Sequence, residues 1–296
     1  MTSNETSSDS GGEADTDPAD AFSALSNPLR VDIIRALCEH HRESQTLDPI
    51  GFADFRRRVG VDDPGRFRYH LQELREDFVE KTDGGYRLTY AGKKVVDAIL
   101  MGTYTSEVSK DAAELDSDCF ICGNPAVATY ENGLCVVSCE NDHPLFTWQV
   151  PPTAAADATP PEIVEVAELL ARQGLERALS GICTECYHPI ETDVVVEESE
   201  KPILRAVCET CGARLISPVG YCLLANPRVA ALYHRHGRDL DESHIWELSF
   251  IRDETALTVV EENPTRVEVD ASLEEETLEV TVNQSGHAVD HRLSRK

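Results

Sequence analysis

The residues best suited to chemistry in this chain are its cysteines, ten in all, nine of them between positions 119 and 222. Cys183-Thr-Glu-Cys186 and Cys208-Glu-Thr-Cys211 form two C-x-x-C pairs. In an intracellular chain such pairs point to a metal rather than to disulfides. Each pair closes a tight knuckle with both sulfurs on one side, and four thiolates complete a tetrahedral zinc site. The earlier group is less regular: Cys119-Phe-Ile-Cys122, then Cys135, Cys139 and His143. A ribbon takes its second ligand pair from the end of the return strand, which favours Cys119, Cys122, Cys139 and His143, with Cys135 in place of His143 as the alternative. Cys135 then reads as a small strand residue, and Cys38 and Cys222 as packing residues. Two closed four-ligand Zn2+ sites are expected. Catalytic zinc keeps an open position beside a general base, and no His-Glu-x-x-His or similar pattern occurs. The metals therefore read as structural, and the chain as not an enzyme. A zinc-dependent enzyme is the weakest alternative.

A second set of residues could contact a phosphate backbone. Acidic residues number 54 and basic residues 27, a net charge of −27. This argues against a generally basic nucleic-acid coat or an anionic-membrane binder. The acid excess, with arginine dominating the basic residues, reads as adaptation to high salt. The bias is uneven. Residues 55–75 hold six Arg against Asp62, Asp63 and Glu73, a local net of +3. A helix is expected from Pro64, with Asp63 as N-cap and proline at the first position. Its core face is Phe67, Leu71 and Leu74. At 100° per residue, Arg68, Tyr69, Gln72 and Gly65 fall on the far side and Arg66 on a flank. Arginine pairs with guanine and glutamine with adenine in the major groove. Arg57 and Arg58, on the preceding helix, are expected to contact the backbone. So are Lys81 and Arg87, around a Thr82-Asp83-Gly84-Gly85 hairpin turn. His70 borders the core and reads as a packing residue.

Positioning these residues requires an α+β chain. Residues 1–19 read as a disordered acidic tail. Residues 20–113 read as a winged helix-turn-helix: a helix over 20–43 broken before Pro28, a second over 51–59, the Pro64 helix, a two-stranded wing, and a helix from Ala91. That last helix, about 91–113, is the candidate dimer interface. A first zinc ribbon follows at 114–150, a linker and helix at 151–180, and a second ribbon at 181–225. Residues 226–296 read as a helix, Pro227–His236, then strands near 245–251, 256–261, 266–271, 277–282 and 288–293. The architecture expected is a winged helix-turn-helix, two zinc ribbons joined by a helix, and a small C-terminal antiparallel β region. Tyr233, His234, His236, His244 and Trp246 read as polar surface around one core tryptophan rather than as a pocket. No apolar run reaches a membrane-spanning length and no secretory signal is recognisable, so a cytoplasmic location and no membrane partner are expected.

The stretch SALSNPLRVDIIRAL, followed by RFRYHLQELREDFVEKTDGGYRLTYAGKKVV, resembles the ArsR-type winged-helix regulators. The family pattern falls on His70-Leu71, Leu74, Phe78-Val79, Gly84-Gly85 and Leu88-Thr89 with Gly92. The arsenic sensors' cysteine motif is absent, so metal sensing does not carry over. The composite order, down to NPRVAALYHRHGRDL and WEL, resembles regulators of halophilic archaea with a C-terminal zinc-ribbon region. The resemblance implies a transcriptional regulator that binds double-stranded DNA, as a homodimer pairing half-sites. The alternative is a general transcription-machinery factor that binds polymerase and promoter with little sequence specificity.

Overall fold

The computed structural model describes residues 17–75, 77–196 and 201–295. The chain divides into two units, with the boundary between Thr105 and Ser106. Most of the expected tail lies outside the described residues. Its last part is helical, because Asp17 accepts a hydrogen bond from the Ala19 amide and starts α1 (Pro18–Ala24).

In the first unit the capping residues set the helix starts. Asn27 accepts from the Leu29 amide and opens α2 (Pro28–Ser44); Asp63 does the same for α4 (Pro64–Gln72), from the Gly65 amide. Proline occupies the first position of both, where no amide is needed. Between them α3 (Phe52–Val59) stops at Gly60, whose φ of +77° lets its amide cap the Arg56 and Arg57 carbonyls. Strands β1 (Val79–Thr82) and β2 (Gly85–Leu88) pair antiparallel, Val79 opposite Leu88. Thr89 then caps α5 (Tyr90–Leu100). The core is built from Ile33, Leu37, Phe55, Phe67, Leu71 and Val96. Phe55 and Phe67 meet edge to face at 5.2 Å, worth about 0.5–1.5 kcal/mol beyond area burial. Leu74 and Phe78 are buried although α4 ends before them, because the Phe78 and Val79 amides both donate to the Leu74 carbonyl and turn the chain inward.

The helix expected to reach residue 113 ends instead at Leu100. Residues beyond it form β3 (Ser109–Asp118), which continues as the first strand of a sheet with β4 (Pro125–Glu131), β5 (Leu134–Cys139) and β6 (Phe146–Gln149) in chain order. Lys-Asp-Ala-Ala-Glu-Leu has helical propensity, but pairing with β4 overrides it. The expected linker contains α6 (Pro152–Ala156), and α7 (Pro160–Leu179) follows, with Thr159 and Glu162 forming a capping box. A three-stranded sheet holds β7 (Thr192–Val195), β8 (Ile203–Val207) and β9 (Arg214–Pro218). After a 3-10 turn, Val219–Leu223, come α8 (Pro227–Arg235) and α9 (Ser249–Arg252), then a meander of β10 (Leu257–Glu262), β11 (Thr265–Leu273), β12 (Glu276–Asn283) and β13 (Ala288–Arg295).

The strand expected at 245–251 is helical instead: a 3-10 turn over Ile245–Glu247, then α9. Ile245, Trp246 and Phe250 are all fully buried. Adjacent buried residues cannot occupy alternate faces of a half-exposed strand. Trp246 Nε1 donates to Ser117 Oγ at 2.9 Å, and that hydroxyl donates to Glu247 at 2.7 Å. One continuous core joins both sheets, α7 and the terminal meander through Val137, Val164, Leu204, Val229, Trp246 and Val280.

Two consequences for stability follow from this core. A Cβ at Gly220 would lie 1.9 Å from the Phe250 carbonyl oxygen, and neither backbone can retreat. Gly220→Ala is expected to cost about 3 kcal/mol, seen as a lower urea midpoint. Glu276, at the start of β12, accepts hydrogen bonds from Arg235 (3.1 Å) and Arg295 (2.8 Å), with His236 Nε2 at 3.2 Å. Arg235, Arg295 and His236 hold its carboxyl down to about 2, from an ordinary 4.5. Its contribution to stability is therefore complete above pH 4.5 and disappears as pH falls toward 2. The melting-temperature gap between wild type and Glu276→Gln is expected to close across that window; a gap independent of pH would contradict the assignment.

Candidate functional site

The second unit brings two sets of metal-binding atoms together: Cys119, Cys122, Cys139 and His143, and Cys183, Cys186, Cys208 and Cys211. In each set every ligand atom lies within 4.8 Å of the others. The knuckles arise from local backbone geometry. The Gly123 amide donates to the Cys119 carbonyl at 2.7 Å, and the Gly212 amide to the Cys208 carbonyl at 2.9 Å. Both glycines have φ near +74° with open space where a Cβ would stand, so backbone conformation alone demands glycine there. Tyr187 takes the corresponding left-handed position after Cys183, at φ +63°.

Across the first set, Cys122 Sγ lies 3.7 Å from Cys139 Sγ, and His143 Nδ1 lies 3.5 Å from both Cys119 and Cys139. Across the second, Cys183 to Cys211 is 3.7 Å and Cys186 to Cys208 is 3.5 Å. Zinc–sulfur bonds of about 2.3 Å give tetrahedral edges of about 3.8 Å, so the donor types and spacing fit a four-coordinate soft or borderline metal ion. The Asn124 amide lowers the Cys122 thiol to about 6, and the Cys211 amide does the same for Cys208. Amide donors aimed at sulfur favour the thiolate, which is the form that binds metal. Cys135 joins neither set. It is buried between Tyr130 and Trp148 in the sheet, and burial pushes its thiol up to about 11.

His244 and His236 have different partners, and Tyr233, expected at a polar surface, is buried. His244 stacks on Trp246 at 4.3 Å and bonds Glu168 at 3.1 Å. Burial opposes its charge, but Glu168, Glu247 and Glu165 outweigh this and raise its pKa. His236 lies instead against Glu274 and Glu276.

In the first unit Arg66, Arg68, Tyr69 and Gln72 are exposed on α4, while Phe67 and Leu71 are buried. Arg57 and Arg58 are exposed on α3 and Lys81 on β1; Arg87 on β2 is half-buried. Neighbouring acids engage part of this set. Arg57 pairs with Asp54 (2.9 Å), Arg58 with Glu43 (2.6 Å) and Arg87 with Glu80 (2.7 Å). The Arg68 guanidinium lies 5.5 Å from the Phe52 ring centroid. Gln72 accepts from Arg75 at 2.9 Å. His70 takes part in packing: Arg30 of α2 donates to its Nδ1 at 3.4 Å and to Glu73 at 3.1 Å, tying α2 to the end of α4. Burial, then Arg30 and Arg66, lowers the His70 pKa. Arg56, which sequence reasoning left out, donates to the Val61 and Asp62 carbonyls and braces the turn between α3 and α4. Its place at the helix C-terminus is the signal that could have identified it.

Residues 116–288 match the family described as Domain of unknown function (DUF7351), which spans more than half of the chain; the chain belongs to that family. Residues 18–99 match a second domain of unknown function (DUF7347), which falls within the first unit. No curated protein and no solved structure matches the chain. Among the described residues, no helix is long and apolar enough to cross a membrane.

Proposed function

We propose that the chain is a cytoplasmic DNA-binding transcriptional regulator. In this reading the first unit is an ArsR-like winged helix-turn-helix, and the second is built around two structural zinc ions. The observation that carries the reading is the exposed face of α4. It presents Arg66, Arg68, Tyr69 and Gln72 outward from a helix whose Phe67 and Leu71 are buried in the core. Short helix α3 precedes it, and the β1–β2 hairpin follows with Lys81 exposed. Helix α4 supplies base contacts, while Arg57, Arg58, Lys81 and Arg87 supply backbone contacts. The ion pairs of Arg57, Arg58 and Arg87 with Asp54, Glu43 and Glu80 exchange for phosphate on binding. Screening at high salt weakens the backbone attraction, and so shifts the burden of recognition onto base contacts. Leu100, Met101 and Tyr104 are exposed at and beyond the end of α5, and in this reading they belong to the homodimer interface.

Zinc suits both clusters because thiolate and imidazole donors complete its tetrahedron and leave no position for substrate. The test of the reading is selection of bound fragments from random duplex DNA at molar salt. Enrichment of a two-fold symmetric motif supports a regulator. Binding without enrichment points to a general transcription-machinery factor, and no binding of duplex DNA overturns the reading.

A further inference from the structure

The terminal meander leaves β13 at its edge, and seven of the eight residues of that strand are exposed. An open edge invites another chain to pair with it, and is normally kept short, bulged or marked with proline. The other edges among the described residues follow that rule. Strands β1, β2, β6 and β7 have four residues each, β9 ends in Pro218, and β3 and β10 are broken by register shifts. Strand β13 has neither proline nor lysine over Ala288–Arg295. Its one irregularity falls at Val289, and Asp290–Arg295 run in unbroken register against Glu276–Thr281. Val289 is 53% exposed and Leu293 44%. Among the described residues Asp290 forms no ion pair; it accepts a hydrogen bond from the His291 amide at 2.8 Å.

We infer that β13 pairs antiparallel with β13 of a second copy, about a two-fold axis at His291, so that two meanders join into one sheet. An axis normal to the sheet keeps every side chain on its own face, so opposed residues lie an even number of positions apart. Asp290 is the one acid in the strand, and Arg292 is the one arginine at such a distance from it. Centring on His291 is therefore the single register that sets acid against base. It does so twice, because Asp290 of each copy opposes Arg292 of the other. The same register sets Val289 against Leu293 and covers apolar surface that each chain leaves exposed. Charges usually protect an edge, but a self-complementary pair favours a copy of the same strand over a foreign one. Arg292 also bonds Glu279 of its own β12 at 2.5 Å; a guanidinium has further donors, so it can hold both carboxylates. Backbone hydrogen bonds along the new ladder supply the rest of the affinity. The interface belongs to the second unit and depends neither on the DNA-binding reading nor on the surface at the end of α5.

The test is analytical sedimentation of the metal-loaded full chain, comparing wild type with Asp290→Arg and Arg292→Asp. Wild type is expected to self-associate. Each variant alone sets like charges opposite each other and is expected to weaken association about tenfold, whatever other self-contact the chain makes. An equimolar mixture of the two variants is expected to recover the wild-type affinity, because every opposed pair in the mixed dimer is again acid against base. A merely structural role for either residue gives no recovery on mixing. A second measurement serves should Arg292→Asp fail to fold beside Glu279. In His291→Cys the two new thiols stand directly opposite each other, within disulfide range, so oxidised glutathione is expected to yield a cross-linked dimer that wild type does not form. Four results each overturn the pairing: no self-association of wild type, association that neither variant weakens, loss without recovery on mixing, and no cross-linked dimer in His291→Cys.

Discussion

Replacement of Cys183 by Ser is expected to release one metal equivalent and to unfold residues 106–295 as a unit. Cys183 is fully buried and belongs to the core shared by both sheets, α7 and the terminal meander. Its ligand set therefore holds more than one knuckle. Structural zinc binding is worth roughly 10–16 kcal/mol of apparent free energy, against a total stability of about 5–15 kcal/mol for a typical domain. Loss of the metal thus removes an amount comparable to the whole stability. Metal content measured by atomic emission should fall by one equivalent, and the fluorescence of buried Trp246 should shift to the red. Cys135→Ser serves as the control, since Cys135 lies outside both ligand sets and should retain both metals. A Cys183→Ser protein with its full metal content, or one that loses metal but keeps a native melt, would remove the structural role.

Under the proposed DNA-binding reading, Arg68→Ala is expected to weaken binding to a selected duplex by about 10- to 100-fold. One bidentate contact to a base is worth about 1–3 kcal/mol. The side chain is exposed, so the unfolding midpoint should stay unchanged, which separates recognition from stability. Phe52 lies beside the guanidinium and restricts its orientation, so Arg68→Lys should not restore the contact. Lys81→Ala should behave differently. It should weaken all duplexes alike and lower the salt slope by about one. If fluorescence anisotropy shows equal affinity for wild type and Arg68→Ala, α4 is not the reading helix.

What could be read from the chain follows the range of the interactions involved. The C-x-x-C spacings located six of the eight candidate ligands, because a knuckle is closed by bonds a few residues apart, such as the Gly123 amide to the Cys119 carbonyl; Cys139 and His143 followed from their place at the end of the return strand. Asn27 and Asp63 marked their helix starts because a cap is satisfied within two residues. Apolar spacing picked out Phe67 and Leu71 because the pitch of one helix determines which side faces inward. Strands β3, β6 and β9 escaped notice because partners supplied elsewhere stabilise them, and β3 carries a charged sequence without clear alternation. The helical turn at 245–251 was hidden for a related reason: Trp246 is satisfied by Ser117, 129 residues away. By itself the sequence determined the three C-x-x-C knuckles, the capped helices and the outward face of α4, all governed by short-range geometry. Tertiary packing alone decided that the cysteine-rich segments and the terminal meander share one interior, and that β13 stands exposed at the meander's edge. Burial depends on which distant surfaces meet, and no local pattern encodes that meeting.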